Sequence, residues 1–382
     1  MRFGVVWGVG LSSRRRVGFV VNPVAGMGGP VGLKGTDGME VLRRARELGA
    51  VPVAGARAAE FLGVLVGFRD HVEVVTWRGE MGEDVARGCG FEPTFFGSSV
   101  RGGTSAEDTR MAVREFVGVG VELVVFVGGD GTARDVCGIV GERIPVLGVP
   151  AGVKIHSAVF AVSPVAAGEL VVRFLFEGLP VREGEVMDVD EDAFRDGRVS
   201  ARLYGYVLTP YEPALVQGGK VESVVSELDL RNQAAIAVYL IDGMESGVVY
   251  VVGPGTTTRT IGDLLDEKKT LLGVDIFLDR RIVVRDAGEA ELLKAVEGRR
   301  ARIVVTPIGG QGFIFGRGNQ QISPRVIRMV GLGNVVVVAT RNKLRGLKCL
   351  RVDTGDAALD GELRGGIRVI TDYGEEQIVP VE

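Results

Sequence analysis

Cysteine is scarce in this sequence, and neither sign of charge dominates it. The three cysteines, Cys89, Cys137 and Cys349, lie far apart without metal-type spacing, which argues against a zinc site and against a disulfide framework. A chain of this kind suits a reducing cytoplasm. The formal net charge of −4 leaves no excess of basic residues for a nucleic-acid-binding face. We therefore do not expect a nucleic-acid partner.

Long apolar runs are also missing. The uncharged stretch at residues 155–168 is shorter than the roughly 20 residues that cross a bilayer, and it contains Pro164. No membrane association is predicted. Near the start of the chain, Arg14, Arg15 and Arg16 follow the apolar stretch instead of preceding it, unlike the order in a secretory signal. We treat residues 1–16 as a tail.

Glycine, in contrast, is abundant. The 58 glycines among 382 residues are about double the usual share. Because glycine suits places where the backbone closely approaches a ligand, several Gly-rich loops are expected to be functional. A chain of this length is also expected to form two domains.

Residues 17–178 repeat one pattern, in which a short Val/Ile/Phe run is followed by a Gly-rich turn and a helical stretch. Such alternation is typical of parallel strands joined by crossover helices, and so predicts an α/β domain. The predicted strands are 17–21, 72–76, 123–127 and 144–149, and the predicted helices are 39–48, 106–116, 132–140 and 166–176. Ligands bind such sheets where strands end and helices begin.

The texture changes after residue 178, where acidic turns separate short strand-like runs and helical periodicity fades. Residues 179–330 are predicted to form an antiparallel, all-β second domain. Its predicted strands include 198–209, 234–241, 248–252 and 302–305. The segment 331–382 has further apolar runs at 335–338 and 350–352, and its placement in either domain stays open.

The strongest candidate site is Gly128-Gly129-Asp130-Gly131-Thr132, directly after a predicted strand and before a predicted helix. Free backbone amides at such a junction bind phosphate. The glycines let the backbone approach phosphoryl oxygens, the Thr132 hydroxyl can donate to one, and Asp130 can serve as acceptor or base. An ordinary Gly-Asp-Gly turn is the alternative, but this strand–helix setting favours a phosphate loop.

A second loop, residues 22–38, is too long for an ordinary strand–helix connection, which favours a binding loop. Asn22, Gly28 and Gly29 belong to it as candidate phosphate contacts. Lys34 can supply a cation to phosphate. Asp37 either caps the following helix or contacts substrate.

A third loop, residues 149–157, also follows a predicted strand. Lys154 is its candidate phosphate partner. His156 is expected to be a buried structural histidine. Because parallel strands end at the same edge of a sheet, all three loops are expected to converge there.

The second half carries two more Gly-rich segments, 253–258 and 306–321. Polar donors among glycines suit the ribose and phosphates of a nucleotide, although tight turns and bulges remain the alternative. The candidate contacts in these segments are Gly255, Thr256, Thr257, Gly310 and Arg317.

Together these segments resemble a known group of enzymes. The run from Gly128 to Thr132 resembles the signature shared by NAD kinases, diacylglycerol and sphingosine kinases and, more loosely, phosphofructokinases. Its surroundings closely resemble the predicted archaeal ATP-NAD kinase family that includes the acetoin-catabolism accessory protein. The segments that carry this narrower likeness are 22–38, 128–135, 148–161, 270–275 and 306–324.

The resemblance implies a Rossmann-like N-terminal domain, a sandwich-like β-rich C-terminal domain and a site in the cleft between them. It implies a kinase that transfers phosphoryl from ATP or polyphosphate, with Mg²⁺, to NAD. Asp130 would activate the acceptor hydroxyl, and Gly129, Gly131 and Thr132 would hold phosphate. Residues 253–258 would take the place of a Thr- and Gly-rich nucleotide loop. The resemblance also suggests a homo-oligomer.

One departure from NAD kinases concerns the acceptor. Those enzymes hold the dinucleotide's ribose with an Asn-Glu or Asn-Asp pair, which the corresponding residues 201–207 lack. A sugar, a polyol or another small metabolite therefore stays open as the acceptor. A non-catalytic nucleotide-binding regulator is a third hypothesis, against which the intact Asp130 argues.

Overall fold

The computed structural model describes residues 14–33, 39–98, 104–152, 155–189, 201–212, 215–216, 227–308 and 311–382. The strands are β1 (Arg15–Val21), β2 (Val72–Trp77), β3 (Thr94–Phe96), β4 (Leu123–Gly128), β5 (Val146–Pro150), β6 (Val181–Val189), β7 (Ala201–Pro210), β8 (Val249–Val252), β9 (Asp275–Leu278), β10 (Arg281–Val284), β11 (Ala301–Val305), β12 (Phe313–Phe315), β13 (Val335–Val338), β14 (Arg351–Val352), β15 (Gly365–Asp372) and β16 (Glu375–Val381).

The α-helices alternate with these strands along most of the chain. They are α1 (Met39–Glu47), α2 (Ala54–Leu65), α3 (Glu83–Gly88), α4 (Ala106–Gly118), α5 (Asp130–Val140), α6 (Pro164–Glu177), α7 (Glu227–Asp242), α8 (Thr256–Leu264), α9 (Glu289–Val296), α10 (Pro324–Val330), α11 (Arg341–Arg345) and α12 (Ala357–Leu363). In the described ranges, none of these helices combines the length and the apolar character that crossing a bilayer requires.

The first half is built on a parallel sheet with the strand order β3-β2-β1-β4-β5. Its central strands are buried on both faces, as expected for a parallel sheet covered by helices. One face packs against α2 and α6, for example through Phe61 and Leu170. The other packs against α4 and α5, for example through Phe116 and Val136. The predicted parallel α/β architecture is confirmed.

Local sequence signals fix where the covering helices begin. Ser163 accepts a hydrogen bond from the Ala166 amide and is followed by Pro164, so the start of α6 is capped and preorganised. At the start of α4, Ser105 and Asp108 form a capping box. These caps fix where the helices begin on the faces of the sheet. The loops after β1, β4 and β5 lie at its carboxyl edge.

The second half is strand-rich, as predicted, but the predicted antiparallel pairing is wrong for its central strands. It forms a mixed sheet with the order β10-β9-β8-β11-β13-β15-β16. The central strands β8, β11, β13 and β15 pair in parallel, while the strands outside them pair antiparallel. Parallel neighbours need crossover connections, and helices in this half provide them. Helices α9 and α10 pack on one face of the sheet, and α7 and α8 on the other.

The predicted strand at 234–241 is wrong, because these residues lie in α7. An apolar run of this length fits either a buried strand or a buried helix, so its hydrophobicity alone does not decide between them. Ile236 and Ala237 face the sheet, and Leu240 packs on the same cluster one turn later. That spacing is helical.

Two chain segments extend further into the sheets than the sequence suggested. Strand β1 begins at Arg15, two residues inside the expected tail. The C-terminal stretch, whose placement was open, adds β13, β15 and β16 to the second sheet. The hairpin β6–β7 forms a separate antiparallel ribbon and buries Val186 and Val207 against the face of α5.

Candidate phosphate-binding site

The Gly128–Thr132 segment forms the junction between β4 and α5. Strand β4 ends at Gly128, Gly129 is the extended N-cap residue, and α5 begins at Asp130. The helix thus starts two residues earlier than predicted, and the amides of Asp130, Gly131 and Thr132 lie in its first turn. Amides of a first helical turn have no intrahelical acceptor, so they can bind an anion.

Asn22 ties the loop after β1 to this junction. Its backbone N–H donates to the Val127 carbonyl over 3.0 Å, and its side-chain Nδ2 donates to Thr132 Oγ1 over 3.0 Å. Its Oδ1 accepts from the Val24 amide. The Thr132 hydroxyl is thereby held as an acceptor from Asn22, which leaves its own hydrogen to donate.

The loop after β5 closes over the same junction. The amides of Ala151 and Gly152 both donate to the Gly128 carbonyl, over 2.9 and 3.1 Å. A Cβ atom at Gly129 would lie 3.2 Å from Gly152 Cα, so the two backbones leave little room for a side chain there. Three loops that follow parallel strands therefore meet at one sheet edge, as predicted from the sequence.

Asp130 is buried, and its carboxylate is enclosed by the end of the third loop. Oδ1 accepts from the Ser157 amide over 2.9 Å and from Ser157 Oγ over 2.6 Å. Oδ2 accepts from the His156 amide over 2.8 Å and lies 3.2 Å from His156 Nδ1. Residues 156 and 157 thus provide four polar contacts to a single carboxylate.

His156 is buried, as expected, and its ring contacts Asp130 within the candidate site. Ser157 is the residue that sequence reasoning missed. Its hydroxyl also accepts from the Met187 amide of β6, which links the ribbon to the loop. No local sequence signal marks this serine, because both of its partners lie more than twenty residues away in the chain.

The second half of the chain contacts the loop after β1. A Cβ atom at Gly29 would lie 3.2 Å from Gln320 Cβ, so segment 306–321 packs directly against this loop. The Glu289 amide at the start of α9 donates to the Pro30 carbonyl over 3.0 Å. Because Asn22 at the start of the same loop bonds to Thr132, the Gly-rich segments of the two halves adjoin one site.

The segment 253–258 repeats the strand–loop–helix pattern in the second half. Strand β8 ends at Val252, Gly255 is the N-cap residue with φ +128, and α8 begins at Thr256. Thr256 is exposed and Thr257 is buried. A Cβ atom at Gly255 would lie 2.5 Å from Thr306 Cγ2, so this turn packs against the start of segment 306–321.

Arg317, predicted as a phosphate partner, lies in a buried ion cluster between the two halves. Its Nη2 donates to Asp353 Oδ2 and to the Val162 carbonyl, both over 3.1 Å. From the first half, Arg57 Nη1 donates to Asp353 Oδ1. Among the described residues Arg317 Nη1 is buried without a hydrogen-bond partner. This guanidinium is thus largely committed to the contact between the halves.

Burial and the neighbouring charges shift the pKa values of the groups in this cluster. Burial by itself would raise the pKa of the Asp353 carboxyl, but the attraction of Arg57 and Arg317 outweighs it and holds that pKa below its ordinary value. Burial lowers the pKa of Arg317, and Asp353 opposes that shift. Burial raises the pKa of the neighbouring Asp360 carboxyl. The ionised groups that join the halves are therefore Asp353 and its two arginines, Arg57 and Arg317.

Four of the predicted contacts, Lys34, Asp37, Lys154 and Gly310, lie outside the described residues. Within the described ranges, no group of three or more His, Cys, Asp or Glu side chains is arranged to hold a metal ion. The carboxylate oxygens of Asp130, which lies in the phosphate loop, already contact the donors of residues 156 and 157. Within the described part of the site there are thus phosphate donors but no cluster of metal-ligating side chains.

Comparison with known proteins agrees with this geometry. Residues 17–178 match the model of the ATP-NAD kinase N-terminal domain, and residues 245–381 match that of the ATP-NAD kinase C-terminal domain. The two matches together cover more than three quarters of the chain. No curated protein matches the chain significantly, and neither does any solved structure.

The two matched models are those of a nucleotide-dependent kinase with an α/β phosphate-loop domain followed by a strand-rich domain. The chain belongs to the ATP-NAD kinase family, and it is an ATP-dependent phosphotransferase. Phosphorylation of NAD to NADP is the reaction of that family. The narrower likeness to the archaeal branch and to the acetoin-catabolism accessory protein stays a prediction.

Proposed function

We propose that this protein transfers the γ-phosphoryl group of ATP to a hydroxyl of NAD and so produces NADP. The observation that carries the proposal is the phosphate loop between β4 and α5, which is closed by loops from β1 and β5 and adjoined by the second half. Family membership supplies the acceptor, since NAD is the substrate of ATP-NAD kinases.

The nucleotide's phosphates would lie against the first turn of α5. Gly128, Gly129 and Gly131 bring the backbone close to the phosphoryl oxygens, and Thr132 donates its hydroxyl hydrogen. From the neighbouring loop Asn22 orients Thr132, and Gly28 would offer its backbone amide. Gly29, whose amide donates to the Gly26 carbonyl over 3.2 Å, would let the backbone approach the phosphate closely. Lys34 and Lys154 are the proposed cations of the site, and Asp37 a further contact.

The second half would hold the rest of the bound substrates. Gly255, Thr256 and Thr257 place a helix N-terminus and two hydroxyls after a parallel strand, an arrangement that suits phosphate or ribose. Gly310 and Arg317 belong to segment 306–321, and Arg317 Nη1, which has no hydrogen-bond partner among the described residues, is a donor that it can offer.

Magnesium is proposed to enter with the nucleotide, bound mainly by its phosphates. Mg²⁺ commonly keeps several waters and takes few protein ligands in kinase sites. When bound, it would neutralise charge that develops on the transferred phosphoryl group. The lack of a carboxylate cage among the described residues suits this mode of binding.

Asp130 is the proposed carboxylate on which activation of the acceptor hydroxyl depends. It lies at the first position of α5, beside the amides that would hold phosphate, and it is buried from water. In phosphoryl transfer the protein takes little part in bond making. Most of the rate acceleration therefore comes from aligning the two substrates and from stabilising the charge that develops in the transition state. We propose a cytoplasmic location and a homo-oligomer as well, on the scarcity of cysteine and on the resemblance respectively.

A screen of phosphoryl donors against acceptors tests the proposed function. ATP or polyphosphate with Mg²⁺ is incubated with NAD, NADH, sugars and polyols, and products are identified by mass spectrometry. The expected product is NADP from NAD and ATP. A phosphorylated sugar or polyol with unmodified NAD would assign another acceptor, and ATP binding without transfer to any acceptor would assign a regulatory role.

A further inference from the structure

The hydroxyl of Ser157 is fully buried and has a hydrogen-bond partner on each side. It donates to Asp130 Oδ1 over 2.6 Å and accepts from the Met187 amide of β6 over 2.9 Å. A backbone amide can only donate and an ionised carboxylate can only accept, so the hydroxyl hydrogen has one direction, toward Asp130. A distance of 2.6 Å is typical of a charge-assisted hydrogen bond. This hydroxyl therefore joins the β6–β7 ribbon to the carboxylate of the phosphate loop.

The orientation of the Asp130 carboxylate is set by its partners. The terminal torsion of an aspartate side chain is broad and has no sharp wells of its own. Ser157 binds Oδ1 twice, through its amide over 2.9 Å and through its hydroxyl, and the His156 amide binds Oδ2 over 2.8 Å. Donors on both oxygens hold the plane of the carboxylate. The Ser157 hydroxyl makes the shortest of these contacts.

The segment that carries Ser157 is itself fastened to the ribbon. The next amide along the chain, that of Ala158, donates to the Glu185 carbonyl over 2.8 Å. A Cβ atom at Gly184 would lie 2.8 Å from Val159 Cγ1, so the ribbon and the segment are in close contact. The ribbon in turn packs on α5, the helix that begins at Asp130. Ser157 thus connects the start of α5 to a support that lies against the same helix.

We propose that Ser157 is a positioning residue for phosphoryl transfer, which holds the Asp130 carboxylate in one orientation beside the first-turn amides of α5. The inference rests on the proposed kinase function and adds one residue to its site. Ser157 acts through Asp130 and not on substrate, because its side chain is fully buried and its hydroxyl hydrogen is committed to the carboxylate. A misplacement of about 1 Å in a catalytic arrangement can cost about 100-fold in rate.

Ser157→Ala in the full-length protein tests the proposal. It removes the hydroxyl and keeps the backbone amide that also donates to Asp130. The carboxylate loses its shortest contact, so we expect kcat to fall about 10- to 100-fold. KM for ATP should stay within about threefold, because the bond between Asn22 and Thr132 and the first-turn amides of α5 are unchanged.

Ser163→Ala is the matched control. It also removes a serine hydroxyl that accepts a backbone hydrogen bond, but that bond comes from the Ala166 amide and caps the start of α6. Its kcat should stay within about twofold of wild type.

A double substitution separates a positioning role from a structural one. If Ser157 acts through Asp130, its loss matters little once the carboxylate is gone. Asp130→Asn combined with Ser157→Ala should then be no more than about twofold slower than Asp130→Asn alone. A further loss as large as that of Ser157→Ala in the wild-type background would mean that the serine acts independently of the carboxylate, and would overturn the inference. Single-turnover measurements with excess protein make the slow variants accessible.

A kcat for Ser157→Ala within about fivefold of wild type would overturn the inference while leaving the kinase function intact. Ser157→Cys, which keeps the shape with a weaker donor, replaces the alanine variant in both measurements if that variant does not fold. Loss of fold or of ATP binding in both variants would assign Ser157 a structural role and overturn the inference as well. Absence of turnover in the wild-type protein with every acceptor would overturn the proposed function itself, and this inference with it.

Discussion

Asn22 and Thr132 lie 110 residues apart, and the Asn22 side chain donates a hydrogen bond to the Thr132 hydroxyl over 3.0 Å. This bond joins the loop after the first strand to the first turn of α5. It also fixes the direction in which the threonine can donate. The geometry of the phosphate loop thus depends on the loop after β1 as well as on the Gly-rich run itself.

Replacing Thr132 with valine keeps the shape of the side chain but removes the donor to phosphate and the acceptor for Asn22. A typical net hydrogen bond contributes about 0.5–1.5 kcal/mol, and one to a charged group about 1.5–3. We expect the Kd for ATP to rise about 10- to 100-fold. Calorimetric titration with ATP measures this directly, and Thr94→Val, at an exposed position on the edge strand β3, serves as the control. Unchanged ATP affinity would place the phosphates elsewhere.

Asp130→Asn tests the carboxylate itself. The substitution preserves shape but turns an amide NH₂ group toward donors of residue 156 or 157, so two donors face each other. We expect kcat to fall at least about 100-fold and ATP affinity to change far less. Stability should fall by about 1–3 kcal/mol, because a buried donor loses its acceptor. Turnover, ATP binding and circular dichroism are measured on the same sample, and a near-normal kcat would remove Asp130 from the mechanism.

Asp353→Asn tests the ion cluster that joins the two halves. Removing one partner of a buried ion pair typically lowers the free energy of unfolding by about 3–5 kcal/mol, because the remaining charges stay buried without a counter-charge. Urea unfolding at neutral pH should show a loss of this size. Glu40→Gln, which removes an exposed partner of Arg43, should leave stability almost unchanged, because solvent screens exposed ion pairs. Equal effects of the two substitutions would contradict the role of the cluster.

The ionised Asp353 in this cluster also predicts that stability depends on pH. Because the pKa of Asp353 is lowered in the folded state, its contribution is fully present above the unfolded-state pKa of about 3.9 and is lost as pH falls through the folded-state value. The stability difference between wild type and Asp353→Asn should therefore shrink below about pH 4. Unfolding curves across acidic pH measure it, and a difference that grows on acidification would have the wrong sign.

Gly26→Ala tests how closely the loops approach each other. Gly26 has φ +79, and a Cβ atom there would lie 1.9 Å from the Ala151 carbonyl oxygen. Gly49 also has positive φ, +82, but open space around it. Gly49→Ala should cost only the backbone strain of about 1–2 kcal/mol, and Gly26→Ala clearly more. Thermal melting compares them, and equal losses would mean that the loops after β1 and β5 are not in contact.

The sequence alone predicted those structural features that depend on residues adjacent to one another along the chain. The buried run before Gly128 and the helix after it are local, so the phosphate loop was recognisable, although Gly129 caps α5 two residues earlier than the glycines suggested. Residues 234–241 were misread because an apolar run of that length has no unique conformation. Contacts between residues that are far apart in the chain leave no recognisable pattern in the sequence. The partners of Asp130 lie 26 and 27 residues away, and Arg57 is 296 residues from Asp353.

The central claim is that this chain moves the γ-phosphoryl group of ATP onto NAD, and isotope transfer tests it most directly. Purified wild-type protein is incubated with ATP labelled at the γ-phosphorus, Mg²⁺ and NAD, and the products are separated and counted. The account predicts label in NADP, formed in equal amount with ADP and reduced at least about 100-fold in rate by Asp130→Asn. Label that remains in ATP and free phosphate, with NAD recovered unmodified, would contradict it.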